Sequence, residues 1–301
     1  MQEALLLFFQ KLSSPVLDTV VQVLTFFGEE TVFILFIAAL LWCFSKQKGF
    51  AIYSSLFSAL IGMSVLKALI KYPRPFQVLG DIEGKRLSTA TGYSFPSGHS
   101  TGAAAFYSSV SLIYKKRWLS IVSALLIALV GLSRIYLGVH WPLDVFGGLA
   151  LGIGVSFALS SFFFHLYEQK EKLRSFCFAV GIGSTIVAVG LTLLLILEKA
   201  DPLGFSDPMK LFALAGGGYL GFAWEQKHIN YVTEANLAVK LLRLVFGLAI
   251  LFFIQSLKSI LGAHLAITLI RYYLIGLWVT FLYPLIGSKI PVGNNHYFFD
   301  C

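Results

Sequence analysis

Charge is what this chain most lacks: only 13% of its 301 residues are Asp, Glu, Lys or Arg. A soluble domain spends about 25% on charged side chains to cover its surface. Here 57% of the residues are hydrophobic and the mean hydropathy is +0.80, which excludes a water-facing globular surface. Cysteine is nearly absent too. Cys43, Cys177 and Cys301 form neither a disulfide framework nor a metal-ligand spacing, and the first two read as small membrane-buried side chains. No cluster of Asp and Glu offers an oxygen cage for a divalent ion, so the sequence implies no metal and no other cofactor. The formal charge is +8, yet no basic stripe is interleaved with aromatics, so a nucleic-acid partner is not expected. Residues 1–4 carry Glu3 and no basic side chain, unlike the start of a cleavable leader.

What is present is a succession of long apolar runs. A helix needs roughly 20 apolar residues to cross the hydrocarbon core. Hydropathy and punctuation predict nine spans, over residues 31–45, 50–70, 98–114, 118–137, 143–165, 175–197, 208–224, 237–256 and 263–286. The fold class is therefore all-α, a polytopic helical membrane protein with about nine transmembrane helices and the lipid bilayer as its solvent. Residues 5–27 are apolar but broken by Lys11, Ser13, Ser14, Pro15 and Asp18. From Val16 onward positions 16, 17, 20, 21, 24 and 27 form an apolar stripe, with Asp18, Gln22 and Thr25 off it, which predicts interfacial amphipathic helices over 1–28. Basic clusters at Lys46/Lys48, Lys115–Arg117, Lys170–Arg174 and Lys227/Lys240/Arg243 all fall on one side of such a bundle, which the positive-inside rule makes cytoplasmic. Lys71, Arg74, Lys85 and Arg86 on the opposite side go against that rule.

Three polar segments lie at that opposite, extracytoplasmic boundary. Lys67 and Arg74-Pro75 close the second span, Pro96-Ser97-Gly98-His99 opens the third, and Ser133-Arg134, His140 and Asp144 join the fourth to the fifth. Ionisable groups beside hydrocarbon are costly and default to functional candidates. Lys67, Arg74 and Arg134 supply cations, and arginine's planar fork suits phosphate oxygens. Ser97 and Gly98 start a helix whose free N–H groups favour an anion, with Gly98 allowing close backbone approach. His140 precedes Asp144 by four positions, so the carboxylate can hold one ring nitrogen and raise the basicity of the other. That prepares His140 as a nucleophile. His99, without an acidic neighbour, is left as the general acid.

These segments resemble the tripartite signature of the type-2 phosphatidic acid phosphatase superfamily: Lys, six residues, Arg-Pro; Pro-Ser-Gly-His; and Ser-Arg, five residues, His, three residues, Asp. Every specified letter is present at the family's spacing. The resemblance implies a metal-independent phosphatase in which His140 forms a phosphohistidine, Asp144 orients it, and His99 protonates the leaving group and then activates water. Lys67, Arg74, Ser97, Gly98 and Arg134 would bind the phosphoryl oxygens. It implies a six-helix-type phosphatase core over 29–168, with residues 169–301 as a C-terminal transmembrane extension of unassigned role. The substrate class implied is a membrane lipid phosphate or polyprenyl diphosphate, handled at the extracytoplasmic face of the cytoplasmic (inner) membrane.

Alternatives stay open. The nine-span layout also resembles glucose-6-phosphatase, whose substrate is a sugar phosphate. A phosphotransferase would use the same site with an acceptor other than water, and a transporter or scaffold would merely retain it. Phe76, Tyr93, Phe95 and Trp141 are candidate rim aromatics, and residues 77–92 a candidate gate. Gly216, Gly217, Gly218 and Gly221 predict close helix packing. Arg271, inside the last span, is expected to face protein, more readily pairing with a carbonyl or carboxylate than with a headgroup. Glu225, Lys227 and His228 read as solvated loop residues.

Overall fold

A computed structural model describes residues 1–262 and 264–289; Cys301 and the tail lie outside the described residues. In chain order the helices are α1 (Gln2–Lys11), α2 (Pro15–Phe26), α3 (Glu30–Ala39) continuing as a π-helical turn (Leu40–Phe44), α4 (Lys46–Ile70) and the short α5 (Pro75–Val78). Then come α6 (Gly98–Tyr114), α7 (Arg117–Tyr136), α8 (Pro142–Leu166), α9 (Lys170–Ile196), α10 (Pro202–His228) and α11 (Leu237–Leu261). Last, α12 (Leu265–Leu277) runs through a second π turn (Trp278–Leu282) into α13 (Tyr283–Gly287). Their starts follow ordinary capping chemistry. Ser45, Ser97, Asp201 and Asn236 accept backbone N–H groups from the first turns of α4, α6, α10 and α11. Pro15, Pro142 and Pro202 occupy first positions where a missing N–H costs nothing.

All nine predicted spans are helical where they are described. Among the described residues, six helices are long and apolar enough to cross a membrane, seven if α2 and the α3–π segment, bent by 45°, count as one span. The remaining predicted spans fall short for an intelligible reason. Helix α6 has 17 residues, most of them buried by neighbouring helices, and α10 carries much of its length inside protein. A helix enclosed by protein need not present an apolar surface to lipid.

Small residues set the helix spacing. A Cβ at Gly152 would lie 2.5 Å from the Thr101 carbonyl, and one at Gly217 would lie 2.0 Å from the Tyr273 carbonyl. Thus α6 packs backbone-close on α8, and α10 on α12, as expected where lipid offers no hydrophobic drive to association. A serine ladder ties three core helices: Ser55 to Ser160 at 3.1 Å, Ser160 to Ser109 at 2.9 Å and Ser109 to Ser156 at 3.2 Å. Indole donors tie the C-terminal helices to the core and to one another. Trp42 Nε1 donates to the Val279 carbonyl at 2.8 Å, and Trp278 Nε1 to Gly247 at 2.9 Å.

The predicted basic clusters do share one end of the bundle. There Lys46 pairs with Glu225 at 2.9 Å, Lys48 sits over the Tyr114 ring and Gln47 donates to Glu168. Two residues there depart from expectation. Glu225 is buried, not solvated, because the segment after α10 folds beneath the bundle and the Tyr231 N–H donates to its carboxylate at 2.6 Å. Arg243 is also buried, donating to the Thr233 carbonyl and lying 4.8 Å from the Tyr231 ring centroid. Arg271 is satisfied structurally: it donates to the Gln255 carbonyl of α11 at 2.9 Å.

Helices α1 and α2, with 10 and 12 residues, are each too short to span alone. Both lie against α7. Helix α2 does not divide cleanly into a buried apolar face and an exposed polar one, although Val21 packs inward against Tyr136, Leu137 and Val139. Val16, Val20 and Val23 are exposed, whereas Thr25 is buried and Asp18 accepts from Lys85 at 2.6 Å and from Tyr136 at 2.6 Å. Arg86 pairs with Glu29 and donates to the Gln22 carbonyl. These contacts employ Lys85 and Arg86, which the charge rule disfavoured on this side, and they fasten the segment over 77–92 to α2.

Candidate active site

The site sits at the end of the bundle opposite the basic clusters, where three stretches distant in sequence converge. Arg74 is its hub. Ending the extended stretch after α4, its side chain is 2% exposed and donates in five directions. Nε reaches the Gly92 carbonyl at 3.0 Å, Nη2 the carbonyls of Thr91 at 2.6 Å and Tyr93 at 3.4 Å, and Nη1 that of Val139 at 2.8 Å. The same Nη1 lies 3.1 Å from Nε2 of His140. Lys67, in the last turn of α4, donates Nζ to the Tyr93 carbonyl.

His140 lies in the tight turn between α7 and α8, which Gly138 makes possible with φ +67. Its Nδ1 is 3.3 Å from Asp144 Oδ2, the i,i+4 contact predicted from spacing. That oxygen also accepts the Trp141 N–H at 2.8 Å and the Ser94 hydroxyl. With Nδ1–H donating to Asp144, the Nε2 lone pair points toward Arg74. Burial first, and the Arg74 guanidinium next, hold the His140 imidazole well below its ordinary basicity, so it is neutral at pH 7.

Helix α6 brings the second segment to the same place. The Ser97 N–H donates to the Asp144 carbonyl at 2.9 Å, locking the start of α6 to the start of α8. A Cβ at Gly98 would meet nothing nearer than Met63 at 3.8 Å, so space stands open beside that backbone. Arg134, fully buried, donates one Nη1–H to Thr25 Oγ1 at 2.8 Å. Its Nε and Nη2, together with Nε2 of His99, are buried without a hydrogen-bond partner among the described residues. Leaving a buried donor unpaired costs about 1–3 kcal/mol. Three such groups beside a ring of cations form a site whose polar demand an anion with several oxygens satisfies.

All eight predicted site residues thus lie in this one region. Ser94 and Thr25 escaped prediction: one belongs to a loop and the other to a helix outside the signature, and no spacing marks either. The candidate rim aromatics serve mainly as packing. Trp141 Nε1 donates to the Pro73 carbonyl, and Phe95 fills the space beside Gly147. Tyr93 instead donates its hydroxyl to Asp201 at 2.8 Å, and Thr91 donates to Asp207 at 2.6 Å. Asp207 is also paired with Lys210 at 2.8 Å. The carbonyls that hold Arg74 and Lys67 are therefore themselves held by α10. Asp207→Asn and Thr91→Val are each expected to lower turnover about tenfold, with coupling near 1 kcal/mol in a double-mutant cycle. Strictly additive losses would mean that this link does not position the cage.

Two family models match this sequence: the PAP2 superfamily over residues 48–172, and the transmembrane extension of PAP2 superfamily phosphatases over residues 209–295. The chain carries a PAP2 superfamily domain followed by the PAP2 transmembrane extension. The first match contains Lys67, Arg74, Ser97, Gly98, His99, Arg134, His140 and Asp144; the second begins within α10. Among curated relatives, an undecaprenyl-diphosphatase of Sulfolobus acidocaldarius is 36% identical over 140 residues, covering 44% of this chain and 63% of that protein. Phosphatidylglycerophosphatase B of Bacillus subtilis is 37% identical over 93 residues, covering 28% of this chain and 42% of that protein. The matches thus span less than two thirds of either relative. A crystal structure of a transmembrane PAP2-type phosphatidylglycerolphosphate phosphatase from Bacillus subtilis aligns with TM-score 0.46 and 26% identity, over 54% of this chain and 83% of that one.

Proposed function

We propose that this PAP2 protein hydrolyses the phosphate of a lipid phosphate or polyprenyl diphosphate at the extracytoplasmic membrane face, through a phosphohistidine on His140. The observation that carries the reading is the coordination of His140: Asp144 on Nδ1, Arg74 on Nε2, and the unpartnered donors of His99 and Arg134 in the same buried region. A neutral imidazole with its Nε2 lone pair exposed to a cationic pocket is a nucleophile aimed at phosphorus. The names of the relatives, which concern undecaprenyl diphosphate and phosphatidylglycerophosphate, support a lipid substrate.

In the proposed first step Nε2 of His140 attacks phosphorus as the ester or anhydride oxygen departs, and His99 gives that oxygen a proton. Asp144 balances the positive charge growing on the ring. Arg74, Lys67 and Arg134, with Ser97 and the Gly98 N–H, hold the three phosphoryl oxygens as their charge spreads. Such preorganised donors act most strongly where water is excluded. In the second step His99, now neutral, takes a proton from water, which attacks the phosphohistidine and frees inorganic phosphate and His140.

The test is phosphate release by purified protein in detergent from phosphatidic acid, phosphatidylglycerophosphate, undecaprenyl diphosphate and glucose 6-phosphate, with His140→Ala as the blank. Release from a lipid is expected; release from the sugar phosphate alone would overturn the lipid assignment. Protein cations, not a bound ion, neutralise the phosphoryl charge in this mechanism. Saturating EDTA should therefore leave the rate unchanged, and loss of activity restored by magnesium would contradict it.

A further inference from the structure

Between the catalytic core and the extension runs an apolar cleft of about 780 Å³, counting its open mouth. Its walls are α3 with the π turn that follows, α4, α10 and α12 with its own π turn. One side thus falls in the segment that matches the PAP2 core, and another in the segment that matches the transmembrane extension. Among the described residues the charged side chains lining it are Glu30 and Lys210, both at the end nearer the candidate site. Inward of them the lining is aliphatic and aromatic, as at Ile37, Leu60, Leu214 and Val279.

Its dimensions are informative. From Glu30 to Leu41 along the α3 wall, at about 1.5 Å per helical residue, the cleft runs roughly 16 Å. Half of a hydrocarbon core of about 30 Å is one leaflet. A helix about 10 Å across and of that length would need more than roughly 1,000 Å³, so the space suits a hydrocarbon chain and not a further helix.

Helix α4 and the contacts at the mouth connect the cleft to the cluster of Lys67, Arg74 and His140. On α4, Tyr53, Leu56 and Leu60 line it, and Lys67 stands seven residues beyond Leu60. That spacing is nearly two full turns and keeps all four on one helix face. At the mouth, Lys210 pairs with Asp207, Asp207 accepts from Thr91, and the Thr91 carbonyl accepts from Arg74. Mouth and cage therefore share a rim.

We infer that this cleft holds one hydrocarbon chain of the substrate, lying inward along α4 while its phosphate reaches Lys67 and Arg74. The inference rests on the lipid-phosphatase reading and adds to it a role for the extension as one wall of the chain site. Because the surrounding bilayer is as apolar as the cleft, the chain gains little from leaving lipid. Its fit instead fixes where the phosphate sits, so the cleft governs which chains are processed.

Two measurements test this. The first compares wild type with Leu60→Trp and Leu214→Trp, which fill the cleft from opposite walls, on dipalmitoyl phosphatidic acid and on chainless p-nitrophenyl phosphate. The ratio of kcat/KM for the lipid to that for the chainless ester should fall about tenfold or more in both variants. An unchanged ratio in folded variants would overturn the inference.

The second measurement does not depend on turnover or on the variants folding. A long-chain alkyl phosphonate with a terminal diazirine is photolysed on the wild-type protein, and the labelled peptides are mapped. Labelling around Leu41, Gly218 and Val279 that excess dipalmitoyl phosphatidic acid displaces is expected. Label elsewhere, or label there that resists displacement because bulk lipid occupies the cleft, would refute the chain site. Absence of phosphate release by wild type from either substrate would refute the activity instead, with the labelling still reporting on the cleft.

Discussion

Replacing His140 with alanine is expected to reduce phosphate release by about 10⁴-fold or more, the scale seen when a nucleophile that acts as part of a unit is removed. The structure gives the reason in detail. Nε2 is the ring atom left with a free lone pair once Nδ1 is engaged by Asp144, and it faces Arg74 at 3.1 Å. Among the described residues no other imidazole touches a carboxylate. Brief incubation of wild type with substrate labelled in its phosphoryl group, followed by alkaline quench, should trap label on protein in an acid-labile form. His140→Ala should trap none. Label retained in that variant would place the covalent step on another residue and end the proposed mechanism. The alanine also removes the partner of Arg74 Nη1, but the guanidinium keeps its carbonyl acceptors. The fold should therefore survive, with a melting temperature close to that of wild type.

The second large effect is expected at Asp144. Its Oδ2 gathers three donors: the Trp141 N–H, the Ser94 hydroxyl and Nδ1 of His140. Asp144→Asn keeps the volume and removes the negative charge. If the amide nitrogen turns toward His140, Nδ1 must become an acceptor and the proton moves to Nε2, which blocks the nucleophile. If the amide oxygen stays there, the tautomer survives, but the positive charge that builds on the ring during phosphoryl transfer has no counter-ion. Either way kcat should fall by about 10³–10⁴-fold, comparable to loss of the orienting carboxylate in a catalytic triad, with KM changing far less. Steady-state kinetics on the preferred lipid decide the matter. A variant within tenfold of wild type would show that Asp144 caps α8 and does nothing for the histidine.

Much of this protein was legible in one dimension. The scarcity of charge and the apolar runs determined the helical membrane fold, because a chain in hydrocarbon must satisfy every backbone group within itself. Spacing pointed to the His140–Asp144 contact, although His140 sits in the turn before α8 and the contact closes across the helix start rather than along a helix face. The three polar segments were assigned to one membrane boundary by counting spans, and they meet at one end of the bundle. The helices are compatible with the nine-span count, although among the described residues only six pass on length and apolarity, or seven if the bent α2–α3 pair is one span. Hydropathy reads lipid exposure, and α6 and α10 are largely sheathed in protein.

What the sequence could not decide was everything set by contacts across the fold. Glu225 read as a solvated residue because its neighbours Lys227 and His228 are polar; only the return of Tyr231 beneath the bundle buries it against Lys46. Asp18 and Thr25 stood only as residues off the apolar stripe of α2, yet they reach inward to Lys85, Tyr136 and Arg134. Ser94 carries no signature, but its hydroxyl completes the environment of Asp144. The extension has no motif of its own, and tertiary structure alone brings Asp201 and Asp207 to the loop whose carbonyls hold Arg74 and Lys67. By itself the sequence determined composition, periodicity and local spacing, hence the solvent, the helices and the residues of the cage. The tertiary structure decided which faces meet, because burial and hydrogen bonding between residues 100 apart depend on how helices pack and leave no periodic trace along the chain.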